Sequence, residues 1–217
     1  MIERGDHAVF DEPFSVHYYL GSEKVSSRFA EVRSDGHPTQ ILDRLRAAAR
    51  DSPVFVKDMA YHVAGFASPA FMAGFVNTFL IRHPAHAVPS LARMWPDFTD
   101  EETGYDALAR LVGLAEAVGQ EPVIVDSDDL CRDPHGTVRA WCDRVGIPFV
   151  AEALTWAPGM RAEWTLWPDW YVAISRSSGF RPPAEDPPPR HDPRVAEAYE
   201  RVLPVYEALR ARRLRPC

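Results

Sequence analysis

Arg82 closes a short apolar run, Phe79-Leu80-Ile81, and is followed by Pro84 two residues on and by Ser90 eight residues on. A guanidinium at a strand end can clamp a phosphate through two parallel hydrogen bonds. A serine about two helical turns into the next helix can donate to the same dianion. A phosphate is a ligand that this pair could hold, while an ordinary charged strand end and a helical serine is the plainer alternative. Three further apolar runs also end in charge. Asp11-Glu12 follows Ala8-Val9-Phe10, Lys57-Asp58 follows Val54-Phe55-Val56, and Asp126 to Asp129 follows Val123-Ile124-Val125. An ordinary polar strand end accounts for any one of these. Four together suit the crevice outside the carboxyl ends of a parallel sheet, where such folds bind ligands.

The elements that must hold these residues can be read from periodicity. The runs at 8–10, 54–56, 78–81 and 122–125 are β-branched, aromatic and short, which predicts buried strands. Pro38 to Arg50 places Ile41, Leu42, Leu45, Ala48 and Ala49 on one helical face. Ser68-Pro69 is a helix start, an N-cap side chain ahead of a proline whose missing N–H costs nothing there. A helix is expected from about Ala85 to Trp95, kinked or irregular at Pro89. Tyr105 to Val118 is helical through Leu108, Leu111, Val112, Ala115 and Val118, and Gly119 closes it. Pro134 to Val145 is another helix, ended by Gly146. The last runs from about Pro193 to Arg213, with a kink at Pro204 and a basic final turn that suits its dipole. Strands alternating with helices predict a mainly parallel sheet covered on both faces. Arg181 to Pro193 is a proline-stiffened loop, read as an excursion within a single domain spanning 1–217.

Composition excludes several classes. The 217 residues are 46% hydrophobic and 25% charged, ordinary for one well-cored globular domain. The net charge of −7 and the lack of a basic stripe argue against nucleic-acid binding. No apolar stretch is long enough to span a bilayer and no secretory signal pattern is present, so no membrane role is expected. Cys131, Cys142 and Cys217 are odd in number and form no zinc-ligand spacing. Reduced thiols and a cytoplasmic location are the reading this favours, with no metal.

The Arg82/Ser90 pattern resembles the 3′-phosphate motif of sulfotransferases that use 3′-phosphoadenosine 5′-phosphosulfate (PAPS). Other segments are similar to the bacterial and fungal branch of that family. They are Arg4-Gly5-Asp6 with Val9, Asp11-Glu12-Pro13-Phe14 and Tyr18-Tyr19; Val54 to His62; Val123 to Leu130; and Trp167-Pro168-Asp169-Trp170-Tyr171 with Ser177-Ser178-Gly179-Phe180. Ser127 stands where that branch often carries an aromatic that contacts adenine.

The resemblance implies a three-layer α/β/α fold of the P-loop nucleotide-binding type. It also implies sulfuryl transfer from PAPS to a hydroxyl or amine of a small-molecule acceptor, without a metal. Such a reaction needs a base for the acceptor's proton and cations for the charge on the leaving phosphate. Glu12 matches the family's base, and His62, whose ordinary pKa lies near working pH, is the alternative. Lys57 is the candidate cation. Arg82 and Ser90 would bind the 3′-phosphate, with Arg181, Arg190 and His191 as further phosphate contacts where relatives close over the nucleotide. Trp164, Trp167, Trp170 and Tyr171 either line an acceptor pocket or pack a core. High proline, alanine and arginine content fits a high-GC bacterial source and a role in specialised metabolism.

One part of the family pattern is not found in the 217 residues: the strand and PRSxST-type loop that cradle the 5′-phosphosulfate. Three readings follow. The chain is a short version of a longer enzyme, or a nucleotide binder that transfers nothing, or a scaffold redirected to another ligand or to a partner. Without that strand the sheet would expose unpaired edges, which predicts self-association.

Overall fold

The computed structural model describes residues 1–182 and 192–216. They form two compact units, each built on one pair of parallel strands. The first unit comprises Met1–Gly65 and Glu152–Gly179. Its strands are β1 (Ala8–Asp11) and β2 (Val54–Lys57), joined by a crossover through helix α1 (Pro38–Ala48), as parallel strands require. The register runs from Ala8 opposite Val54 to Asp11 opposite Lys57. That alignment brings two charged strand ends level.

Pro38 sits at the first position of α1, and the His37 ring accepts a hydrogen bond from the Thr39 amide (3.3 Å), closing the helix start. Ile41 and Leu45 are buried, while Ala49, expected on the same face, is exposed because the helix ends at Ala48. A π-helical turn at Val16–Leu20 and the short helix α2 (Ala60–Ala64) were not legible in the sequence. Together they bury Tyr18, Tyr19, Tyr61 and His62 as one aromatic cluster. Edge-to-face ring contacts of 4.7 Å (Tyr18–Tyr19) and 4.5 Å (Tyr61–His62) hold it.

The second unit comprises Phe66–Ala151 and Phe180–Cys217. It opens with α3 (Pro69–Met72), whose Ser68 hydroxyl accepts from the Phe71 amide (3.2 Å), the cap expected from Ser-Pro. Strand β3 (Thr78–Ile81) leads into α4 (Pro84–Met94), then α5 (Tyr105–Ala117) and strand β4 (Val123–Asp126). Thr78 pairs with Val123 and Ile81 with Asp126, again in parallel. Helices α6 (Ser127–Arg132), α7 (Pro134–Val145) and α8 (Pro193–Ala211) complete the unit. Pro89 and Pro204 lie inside α4 and α8, and neither interrupts its helix.

α8 packs on β3, β4, α4 and α5 and buries Val195, Ala198, Val202, Tyr206 and Leu209. Asp126, only 1% exposed, is both the last residue of β4 and the N-cap of α6. One of its oxygens accepts from the Asp128 amide (2.8 Å) and the other from the Tyr206 hydroxyl (2.8 Å). The Arg210 guanidinium stands 3.5 Å from that second oxygen.

A mixed α/β chain with parallel strands and helical crossovers is thus observed, its strands divided into two pairs. Among the described residues no helix is long and apolar enough to cross a membrane. Most of the proline-rich stretch, with Arg190 and His191, lies outside the described residues.

Removing the Tyr206 hydroxyl leaves a buried carboxylate short of a donor. Tyr206→Phe is expected to lower stability by about 1–3 kcal/mol, seen as a lower urea midpoint at an unchanged slope.

Candidate functional site

Two groups of charged side chains gather at strand ends, one in each unit. In the first, the ladder extends one residue past β1, where the Glu12 amide donates to the Lys57 carbonyl (2.6 Å). Glu12 then turns at φ +48°, a left-handed conformation that disfavours any residue with a Cβ. Three neighbours hold that turn. The Glu12 carbonyl accepts from the Ser15 amide (3.1 Å) and hydroxyl (2.5 Å), and the Trp167 indole donates to Ser15 Oγ (2.8 Å). Across the strands, the Phe14 amide donates to Asp58 Oδ2 (2.8 Å). Strain kept by this many contacts is a common mark of a functional position.

The turn delivers the Glu12 carboxylate onto the Lys57 ammonium, and the two pair directly. The same ammonium stands 3.7 Å from Asp11 Oδ1 and donates to the Tyr171 hydroxyl (3.3 Å). Tyr171 in turn donates to Asp11 Oδ2. Its ring stacks on Trp164, with centroids 4.8 Å apart and planes 8° from parallel. Burial raises the Asp11 carboxyl above its ordinary value, against the pull of Lys57. Burial, together with the charge of Glu12 and the hydrogen bond to Asp11, pushes the Tyr171 phenol far above the usual range. Lys57 therefore sits between two carboxylates with its side chain 41% exposed.

His62 is placed elsewhere in the same unit. Its Nδ1 meets Asp58 Oδ1 at 2.6 Å, and the side chain is fully enclosed by Tyr18, Tyr19 and Tyr61. Its Nε2 is buried and has no hydrogen-bond partner among the described residues. The structure thus brings Glu12 and Lys57 together and sets His62 apart with Asp58.

In the second unit Arg82 follows β3 with its side chain exposed. The Tyr105 hydroxyl donates to the Arg82 carbonyl (2.6 Å) and fixes the backbone at that point. His83 caps α4 through Nδ1, which accepts from the Ala85 amide (3.1 Å), and burial lowers its pKa. Among the described residues the Arg82 guanidinium makes no ion pair. Ser90 lies on α4, half-buried, and its hydroxyl accepts from Arg93 Nη2 (3.2 Å). No hydrogen bond joins Arg82 to Ser90. Arg181 is exposed, and Arg190 is outside the described residues.

Sequence reasoning named Asp11 only as a charged strand end and Tyr171 only as an aromatic. Their contact spans 160 residues, so no local pattern signals it. Of the other aromatics, Trp167 packs on Tyr19 and Phe29, whereas Trp170 is exposed. Among the described residues no cluster of three or more His, Cys, Asp or Glu could hold a metal.

Two measurements check this geometry. Glu12→Gly and Glu12→Ala both delete the Lys57 partner, but only glycine accepts the positive φ freely. The glycine variant is expected to be more stable by about 1 kcal/mol in chemical denaturation. Alkaline difference spectra of the parent against Tyr171→Phe should show no Tyr171 phenolate at about pH 10–11, where ordinary tyrosines ionise. The sign follows from the raised value: stability from this phenol is fully present below its unfolded pKa and is lost as pH climbs beyond it.

A family model described as a sulfotransferase domain matches residues 1–213. Two Arabidopsis thaliana proteins are similar in sequence. Branched-chain-amino-acid aminotransferase-like protein 2 is 30% identical over 96% of this chain and 38% of its own length. Branched-chain-amino-acid aminotransferase-like protein 1 is 35% identical over 61% of this chain and 24% of its own. The chain thus spans well under half of either relative. Two solved structures also align. The sulfotransferase domain from the curacin biosynthetic pathway does so at 17% identity and TM-score 0.38, over 79% of this chain and 66% of that one. The sulfotransferase domain from the Synechococcus PCC 7002 olefin synthase does so at 14% identity and TM-score 0.43, over 78% and 64%. With the family model covering nearly its whole length, the chain belongs to the sulfotransferase-domain family.

Proposed function

We propose that the protein transfers a sulfuryl group from PAPS to a hydroxyl or amine of a small-molecule acceptor. The observation that carries this reading is Arg82, an exposed guanidinium at a strand end that meets no carboxylate among the described residues of a chain of net charge −7. An unpaired cation there, with a serine hydroxyl on the following helix, has the chemistry to hold a 3′-phosphate. The strand-end geometry of the first unit supports a base and a cation beside each other in Glu12 and Lys57. The PRSxST pattern is not found in the 217 residues, so the support lies in the 3′-phosphate contacts and not in the 5′-phosphosulfate.

In this reading the Glu12 carboxylate takes the acceptor's proton. The acceptor oxygen or nitrogen bonds to sulfur as the bond from sulfur to the 5′-phosphate oxygen breaks. Lys57 would release Glu12 to act as base and turn its charge toward the departing phosphate. Glu12 is favoured over His62 because the imidazole is 1% exposed and already engaged by Asp58. Asp11 and Tyr171 also reach Lys57 and would keep the ammonium in place when it leaves the glutamate.

The test is a thermal melt of the protein with increasing 3′-phosphoadenosine 5′-phosphate (PAP), beside Arg82→Ala. A ligand at a hundred times its Kd adds about 2.7 kcal/mol of stability. A concentration-dependent rise in Tm in the parent, abolished by Arg82→Ala, is the expected result. An unchanged Tm in both proteins would overturn nucleotide use by this chain.

A further inference from the structure

We propose that Arg93 is a second cationic contact for the same phosphate, so that the site is a three-residue clamp of Arg82, Ser90 and Arg93. This rests on the nucleotide reading above and goes beyond it, since Arg93 lies one helical turn past the serine. Its guanidinium donates through Nη2 to Ser90 Oγ at 3.2 Å. The hydroxyl accepts that bond, which leaves its own hydrogen available to donate outward. A phosphate oxygen bound by the hydroxyl would then lie within about two hydrogen-bond lengths of the Arg93 guanidinium, close enough for a direct charge–charge attraction.

Neither guanidinium of this clamp forms an ion pair among the described residues. Several arginine side chains elsewhere are matched with carboxylates, Arg33 with Asp35, Arg161 with Glu3, Arg201 with Asp100, Arg212 with Glu116 and Arg213 with Asp129, although Arg139 and Arg194 lie over aromatic rings instead. Arg82 and Arg93, on either side of Ser90 in the sequence, are not. Among the described residues neither meets an acidic side chain, and both are exposed. An unneutralised guanidinium hydrogen-bonded to a half-buried hydroxyl is suited to an anion brought from solution.

Isothermal titration of the full chain separates this inference from the reading beneath it. The ligands are PAP and adenosine 5′-phosphate, which lacks the 3′-phosphate. The proteins are the parent, Arg82→Ala, Arg93→Ala and Arg93→Lys. Arg93→Ala is expected to weaken PAP about fivefold while leaving adenosine 5′-phosphate within about twofold, and Arg93→Lys to recover most of the loss. The fivefold difference should shrink with added salt. PAP binding that is lost in Arg82→Ala but unchanged in Arg93→Ala would overturn the role of Arg93 and leave the nucleotide site standing. Equal weakening of both ligands would overturn it too, because the charge would then not be reading the 3′-phosphate. No PAP binding by the parent would remove both. The ligand-free Tm of Arg93→Ala shows whether the bond to Ser90 matters to the fold alone, and a drop there together with unchanged PAP affinity again counts against the clamp.

Discussion

The ion pair between Lys57 and Glu12 is the interaction around which the first unit is arranged. The parallel register sets Asp11 level with Lys57, and the turn at Glu12 brings the next carboxylate onto the same ammonium. One residue further, the chain must turn sharply, and Glu12 does so in a conformation that costs about 1–2 kcal/mol for a non-glycine side chain. The contacts offsetting that cost come from well-separated segments: Ser15 in the turn itself, Asp58 beyond the other strand, and Trp167 far along the chain. Glycine would suit the backbone of this turn but would leave Lys57 without the carboxylate that pairs with it.

The second unit solves a similar problem with different means. Its cation, Arg82, is not neutralised among the described residues, and the carboxylate at the neighbouring strand end, Asp126, is turned inward and occupied by Tyr206 and a helix amide. Burying that acid removes it as a competitor for the guanidinium. The two units thus present opposite electrostatic states. One is a closed cluster of acids around a lysine, and the other is a pair of arginines open to solvent.

Much of this was legible in the sequence because it is local. The strands at 8–11, 54–57, 78–81 and 123–126 follow from short β-branched and aromatic runs, and the α5 helix follows from apolar residues at helical spacing. Gly119 and Gly146 stand at φ +78° and +77°, as helix-ending glycines should. Arg82 after β3 and Ser90 on α4 stand on the elements expected for them because their spacing is set by one strand, one turn and one helix. What stayed hidden was non-local or irregular. Tyr171 on Asp11 depends on how 3₁₀ turns late in the chain fold back, and the π-helical turn at Val16–Leu20 has no simple periodic signature. Arg93 reads as an ordinary basic residue near a helix end until its contact with Ser90 is seen. His62 shows the reverse error of emphasis: its type suggested proton transfer, but its enclosure among three tyrosines gives it a packing environment.

Asp126 is the last residue of β4 and the cap of α6 at once, so no linker separates strand from helix. Chain length is therefore pinned at this joint. One inserted residue would rotate the carboxylate away from either the amide it caps or the tyrosine it binds, and α6 would restart out of phase with the strand. By contrast, residues 21–37 cross from the π-helical turn to α1 without regular structure and include a single isolated bridge between Gly21 and Arg33. Relatives that differ in length should accumulate their insertions and deletions in that crossing, while the β4–α6 joint keeps a constant residue count even as its side chains drift.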